Sequence, residues 1–211
     1  MQIISEELND YLSNTCENEN ALLKKIDRET QLEVLMPRMI SGHYQGRVLS
    51  LLSKILNPKR ILEIGTFTGY ATLCLAEGLV DEGKIITVDI NEELEDKVRG
   101  YFSESGFEDK IDYRIGNAVE LIPDINEQFD LVFIDADKKN NGVYYDLIFD
   151  KLKSGGIILV DNVLWSGKVL TNINDTDTSN ISTFNQMVTN DVRVEKLILP
   201  IRDGIFVIRK K

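Results

Sequence analysis

The sequence predicts an α/β fold built on a mostly parallel sheet, and three observations carry that reading. From Arg60 onward, short β-branched runs alternate with longer amphipathic stretches, the pattern of strand–helix–strand units with right-handed crossovers. Near the end, two apolar runs are separated only by Ile201, Arg202, Asp203 and Gly204, a gap that fits a hairpin and makes the sheet finish antiparallel. The 211 residues contain no internal repeat and suit one domain with a full-sized core.

In chain order, Leu8, Leu12, Leu22, Leu23 and Ile26 recur at helical spacing among polar residues, so the part up to about Asn57 reads as helical. A further helix fits Tyr44 to Leu56 and stops at Asn57-Pro58, where proline forbids continuation. We therefore divide the chain into a helical extension over 1–57, packing on a core over 58–211. Strands are expected at RILEI (60–64), KIITVD (84–89), KIDYRI (110–115), FDLVFID (129–135) and GIILVD (156–161). VEKLILP (194–200) and IFVIRKK (205–211) complete a seven-stranded sheet. Helices are expected over Tyr70 to Leu79, Glu92 to Ser105, Ala118 to Ile122 and Gly142 to Leu152. TNINDTDTSN (171–180) is polar without an apolar period and reads as a long surface loop of the lid or binding type.

Apolar residues make up 43% and charged residues 28%, the balance of a soluble globular chain. No apolar stretch approaches the roughly 18 residues of a membrane span. The start, MQIISEELND, has no basic region leading into an apolar one, which argues against secretion and for a cytoplasmic location. Cys16 and Cys74 are then two reduced thiols, and the sequons at Asn174 and Asn180 carry no glycan. A net charge of −11 repels phosphate backbones and anionic lipid, which disfavours nucleic-acid and membrane partners.

In an open parallel sheet, ligands bind outside the carboxyl ends of the strands. Strand one ends in Glu63-Ile64-Gly65, strand two in Asp89, strand four in Asp135 and strand five in Asp161-Asn162. Any one of these could be a helix cap, but four together beside a glycine turn argue for a site. Gly65 and Gly69 let the backbone turn tightly and approach a ligand. Their spacing is neither the dinucleotide fingerprint nor a phosphate loop. Asp89, 24 residues past Gly65, stands where a carboxylate accepts both hydrogen bonds of a ribose diol. A nucleoside without pyrophosphate fits best, because the turn has no lysine and Glu63 would repel phosphate. S-adenosylmethionine is such a ligand, and Glu63 suits its positive charge. Asp135, Asp161 and Asn162 are hard oxygen donors that suit Mg²⁺, with Ca²⁺ or Mn²⁺ as alternatives. The lack of thiol and imidazole disfavours zinc.

With these residues assembled, the chain resembles the cation-dependent O-methyltransferases, the family of caffeoyl-CoA and catechol O-methyltransferases. ILEIGTFTGYA, DADK, VDNVLWSG and RDGIFVIRK fall in that family's order and spacing, from about Met39 to the C-terminus. The resemblance implies a Rossmann-like S-adenosylmethionine-dependent methyltransferase fold over 58–211. It implies cofactor contacts at Ser41, Glu63, Gly65, Thr66, Ala71, Asp89, Ala118, Asp135 and Asp137, and metal ligation by Asp135, Asp161 and Asn162. Lys138 matches the family's general base, while Trp165 and Ser166 fall in the segment bordering the acceptor. Many relatives carry serine at position 71, so here a backbone N–H would have to meet the methionine carboxylate. As a base, Lys138 must first give up its proton, and a neighbouring cation pushes that way. The implied reaction is methyl transfer to one hydroxyl of a catechol-like small molecule by a homodimeric enzyme. Transfer to a hydroxyuridine in tRNA is the alternative, disfavoured by the acidic charge. A nucleoside-binding module without turnover is a second alternative.

Overall fold

A computed structural model describes residues 5–171 and 175–211. Seven strands form one sheet: β1 (Arg60–Ile64), β2 (Lys84–Asp89), β3 (Ile111–Ile115), β4 (Phe129–Ile134), β5 (Leu152–Asp161), β6 (Val194–Leu199) and β7 (Ile205–Lys210). The order across the sheet is β3-β2-β1-β4-β5-β7-β6. β1 to β5 run parallel, and β7 pairs antiparallel with both β5 and β6. The seven-stranded, mostly parallel sheet with a terminal hairpin is thus as expected.

Eight α-helices occur among the described residues: α1 (Glu6–Thr15), α2 (Ala21–Glu33), α3 (Gly42–Leu56), α4 (Tyr70–Ala76), α5 (Glu95–Glu104), α6 (Ala118–Asp124), α7 (Asn141–Phe149) and α8 (Thr176–Asn190). Their ends follow local chemistry. Asn20 caps α2 by accepting from the Leu23 N–H at 2.9 Å. Asn57 closes α3 in the left-handed region at φ 46°, just before Pro58.

The central strands are apolar on both faces, as strands covered by helices must be. Ile61, Ile85, Leu131, Phe133 and Leu159 share one core with Leu23, Ile26, Leu49, Leu75 and Phe102 from α2 to α5. Leu62, Ile64, Val132, Ile134, Ile158 and Val160 share the other with Ile122, Tyr145, Ile148 and Phe184 from α6 to α8. Helices of the first 57 residues thus help cover one face. Buried Thr30 of α2 donates to Thr68 at 3.1 Å, and Tyr101 of α5 donates to Glu29 at 2.6 Å. Arg47 of α3 reaches Glu77 at 2.9 Å, tying α3 to the end of α4.

The expected loop over 171–180 is corrected in part. Residues 172–174, including the sequon at Asn174, lie outside the described residues. Asp175 accepts from the Thr178 N–H at 2.8 Å and starts α8. Ile181, Phe184 and Val188 then bury one face of that helix. The polar opening turn hid the helix because its apolar period begins only at Ile181. Smaller shifts occur elsewhere: α4 stops at Ala76, α5 is preceded by a 3₁₀ turn over Glu92–Leu94, and β5 begins at Leu152. No helix among the described residues is long and apolar enough to cross a membrane.

Candidate active site

The strand order reverses between β1 and β4, which opens a crevice at their carboxyl ends. Gly65 sits at that point with φ 100°. A Cβ there would lie 2.0 Å from the Asp135 carbonyl oxygen, so only glycine allows β1 and β4 to approach this closely. One strand over, Asp89 is fixed by two backbone N–H groups, Phe67 at 2.7 Å and Asn91 at 2.9 Å. Each of its oxygens keeps a lone pair for a ligand. Thr66 and Thr87 join hydroxyls at 2.6 Å beneath the turn. Ala71 is buried in α4, and Ala118 opens α6, where Asn117 accepts from the Val119 N–H at 3.1 Å. Ser41 is buried just before α3, its carbonyl accepting from Arg202. Asp137 is exposed and holds Tyr144 at 2.5 Å and Asn140 at 2.7 Å.

Glu63 departs from an open carboxylate. It is fully buried, and the hydroxyls of Thr72 and Thr87 both donate to its Oε2. Its Oε1 has no partner. Burial pushes Glu63 up to about 8, the two threonines oppose this, and Asp135 and Asp89 add to it. In this environment, with no positive charge beside it, the neutral carboxylic acid is favoured.

The second constellation lies at the ends of β4 and β5. Asp161 is buried; its Oδ1 accepts from the Asn162 N–H and its Oδ2 from the Gln45 side chain, both at 2.7 Å. Burial, then the neighbouring Asp135, push Asp161 up to about 6, while Lys138 pulls the other way. Lys138 Nζ is 3.1 Å from Asp135 Oδ1. Asn162 stands in the left-handed region at φ 64°, which asparagine tolerates better than most residues. Among the described residues no group of three or more His, Cys, Asp or Glu side chains suits a metal ion. The donor set here is instead two carboxylates and an amide. It fits a hard divalent cation: three oxygen donors with two acids in each other's field and one lysine beside them.

Beyond Asn162 the chain stays in unusual conformations, with Trp165 at φ 47°, Ser166 at 52° and Gly167 at 77°. Trp165 Nε1 is buried without a partner. His43 bonds the Glu17 carbonyl at 2.8 Å, and Tyr70, buried, donates to Glu19. Sequence reasoning missed Gln45, which backs Asp161, and Asn185, which donates to the Val163 carbonyl at 2.8 Å. It also left Arg202 and Asp203 without a role, although their motif was visible. A separate recess of about 280 Å³, lined by Asn20, Leu22, Leu73 and Phe107 among others, contains none of the site residues.

Comparison with known proteins bears on this geometry. The family model described as O-methyltransferase matches residues 13–211. A caffeoyl-CoA O-methyltransferase of Stellaria longipes is 32% identical over 220 residues, covering 98% of this chain and 91% of the relative. The O-methyltransferase of Bacillus cereus, solved in complex with S-adenosylhomocysteine, superposes with a TM-score of 0.90 at 29% identity, covering 97% of each chain. A methyltransferase of Podospora anserina, also bound to S-adenosylhomocysteine, gives 0.89 at 28% identity over 99% of this chain and 97% of that one.

Proposed function

This chain belongs to the O-methyltransferase family and uses S-adenosylmethionine, and on that premise we propose that it is a divalent-metal-dependent enzyme methylating a catechol-like small molecule. The observation that carries the proposal is the pairing of buried Asp161 with Asp135 and Lys138 beside the switch-point crevice.

Asp89, Gly65, Thr66 and Ala118 would hold the donor nucleoside, with Asp89 accepting from the ribose diol. Asp135, Asp161 and Asn162 would hold the cation. Mg²⁺, or alternatively Ca²⁺ or Mn²⁺, would polarise a hydroxyl of the acceptor and make it more acidic. Lys138, whose Nζ stands 3.1 Å from Asp135 Oδ1 beside the proposed cation position, would hold the acceptor oxyanion as an ammonium, or take the hydroxyl proton once a bound cation had drawn Asp135 away from it. Bound S-adenosylmethionine would supply the methyl group: the acceptor oxygen would form its bond to the methyl carbon as the carbon–sulfur bond broke, with S-adenosylhomocysteine the leaving product. Trp165 and Ser166 border the acceptor. Gln45 and the Asn162 N–H hold Asp161 in one orientation, so positioning supplies much of the rate. Exposed Leu8 and Tyr11 on α1 and Leu51 and Ile55 on α3 support operation as a homodimer.

The test is a labelled-methyl transfer assay over catechols, acyl-CoA esters and undermodified tRNA, with and without chelator. Catechol turnover that stops with chelator is expected, as is loss of turnover in Asp161→Ala with S-adenosylhomocysteine binding retained. Full activity in that variant removes the metal from the mechanism, and methylation of tRNA alone reassigns the acceptor.

A further inference from the structure

We propose that the β6–β7 turn is a two-sided positioning element: Arg202 holds the cofactor segment, Asp203 holds the acceptor loop, and the turn couples them. The proposal rests on the assignment of residues 38–41 to the donor side and 162–166 to the acceptor side.

Arg202 spends its guanidinium on backbone carbonyls. Nη1 donates to Ile40 O at 2.7 Å and to Ser41 O, and Nη2 donates to Arg38 O at 3.3 Å. A planar fork of fixed donors suits three closely spaced carbonyls, which the single ammonium of a lysine does not. These bonds fix the chain just before α3, where Ser41 and then Gln45 enter the site.

The next residue faces the other way. Asp203 accepts from the Ser166 N–H through its side chain and from the Leu164 N–H through its carbonyl, the latter at 2.9 Å. Gly204 O accepts from the Val163 N–H at 3.2 Å. Three N–H groups of the acceptor loop are therefore tied to two consecutive residues. That loop holds Trp165 and Ser166, neither of them glycine or asparagine, at positive φ, a conformation that calls for such restraint. Arg202 itself stands at φ 47°, the turn that lets adjacent residues serve opposite arms.

The loop carries its own reporter, because Trp165 is the only tryptophan of the chain. The experiment uses the full chain with S-adenosylhomocysteine as probe, following calorimetric affinity and Trp165 emission. In the unaltered protein, the probe is expected to shift Trp165 emission. Arg202→Leu should weaken probe binding about tenfold and abolish the emission response, as loss of several charge-assisted bonds implies. Arg202→Lys should not restore either. Asp203→Ala should keep affinity within about twofold yet lose the emission response, whereas Asp203→Asn, which keeps an acceptor oxygen, should retain it. A role confined to folding would lower thermal stability without separating affinity from emission in this way.

Wild-type affinity and emission response in both Arg202→Leu and Asp203→Ala would overturn the proposal. So would an unaltered protein whose Trp165 ignores the probe, or an Asp203→Asn variant as defective as Asp203→Ala. Neither readout involves acceptor or cation, so a failure of metal-dependent catechol methylation would leave this result standing on its own.

Discussion

Replacing Gly65 with alanine perturbs the hinge of the site most directly. The new Cβ would lie 2.0 Å from the Asp135 carbonyl oxygen and 2.7 Å from its carbon, with the backbone at φ 100°. Both obstacles are main chain, so no side-chain rotation relieves them. Holding an alanine at positive φ costs about 1–2 kcal/mol. Forcing the ends of β1 and β4 apart adds about 1–3 kcal/mol, as overpacking of a close-packed interior does. The sum, about 2–5 kcal/mol, corresponds to a Tm loss of about 4–20 °C for a chain of this size. Because the strands part beside Asp135, affinity for S-adenosylhomocysteine should fall as well. Gly100→Ala is the control: its Cβ meets nothing within 4 Å in α5, so a gain of about 0.5–1 kcal/mol is expected. Thermal unfolding and calorimetry decide the matter. An alanine at 65 that melts with the parent and binds the probe equally well would refute the close approach and the donor site built on it.

Two further perturbations test the electrostatics. Glu63, raised from an ordinary 4.5 to about 8 chiefly by burial, contributes stability that is complete below pH ~4.5 and lost as pH rises through about 8. Glu63→Gln should flatten the fall in denaturant midpoint across that window; an unchanged slope would show that the acid is not held neutral. Glu77 has the opposite sign. Burial raises it, but hydrogen bonds from Arg47, Lys54 and Ser50 outweigh burial and hold it at about 2. Its contribution is therefore present above pH ~4.5 and lost as pH falls toward 2. Arg47→Met leaves this mostly buried carboxylate without its main partner and should cost about 2–4 kcal/mol in urea unfolding. A loss under about 0.5 kcal/mol would mean that Lys54 and Ser50 suffice.

Much of the fold is legible in the sequence for a simple reason. β1, β2, β4 and β5 are apolar runs whose length and β-branched content separate them from helices, and each has an acid or amide at, or one residue from, its carboxyl end. Asp89, Asp135, Asp161 and Asn162 could be singled out on that basis alone. Features requiring partners distant in sequence were hidden. Gln45 lies 116 residues from Asp161. Arg202 lies 161 residues from Ser41. Glu63 looks like an available charge until Thr72 and Thr87 fold against it. α8 escaped notice because Asp175 to Asn180 display only polar side chains, and its cap is recognisable only once Ile181, Phe184 and Val188 are seen to share a buried face.

The place of β7 inside the sheet bears on biosynthesis. β6 pairs only with β7, so it has no berth until the strand translated after it has entered beside β5. A nascent chain halted before Ile205 would carry β5 with one flank of N–H and C=O groups bare, an invitation to mispair with other chains. Late docking or proteolytic clipping of β7 would leave Asp161, at the end of β5, without the strand that pairs beside it at Ile205, although β7 itself supplies none of the candidate ligands.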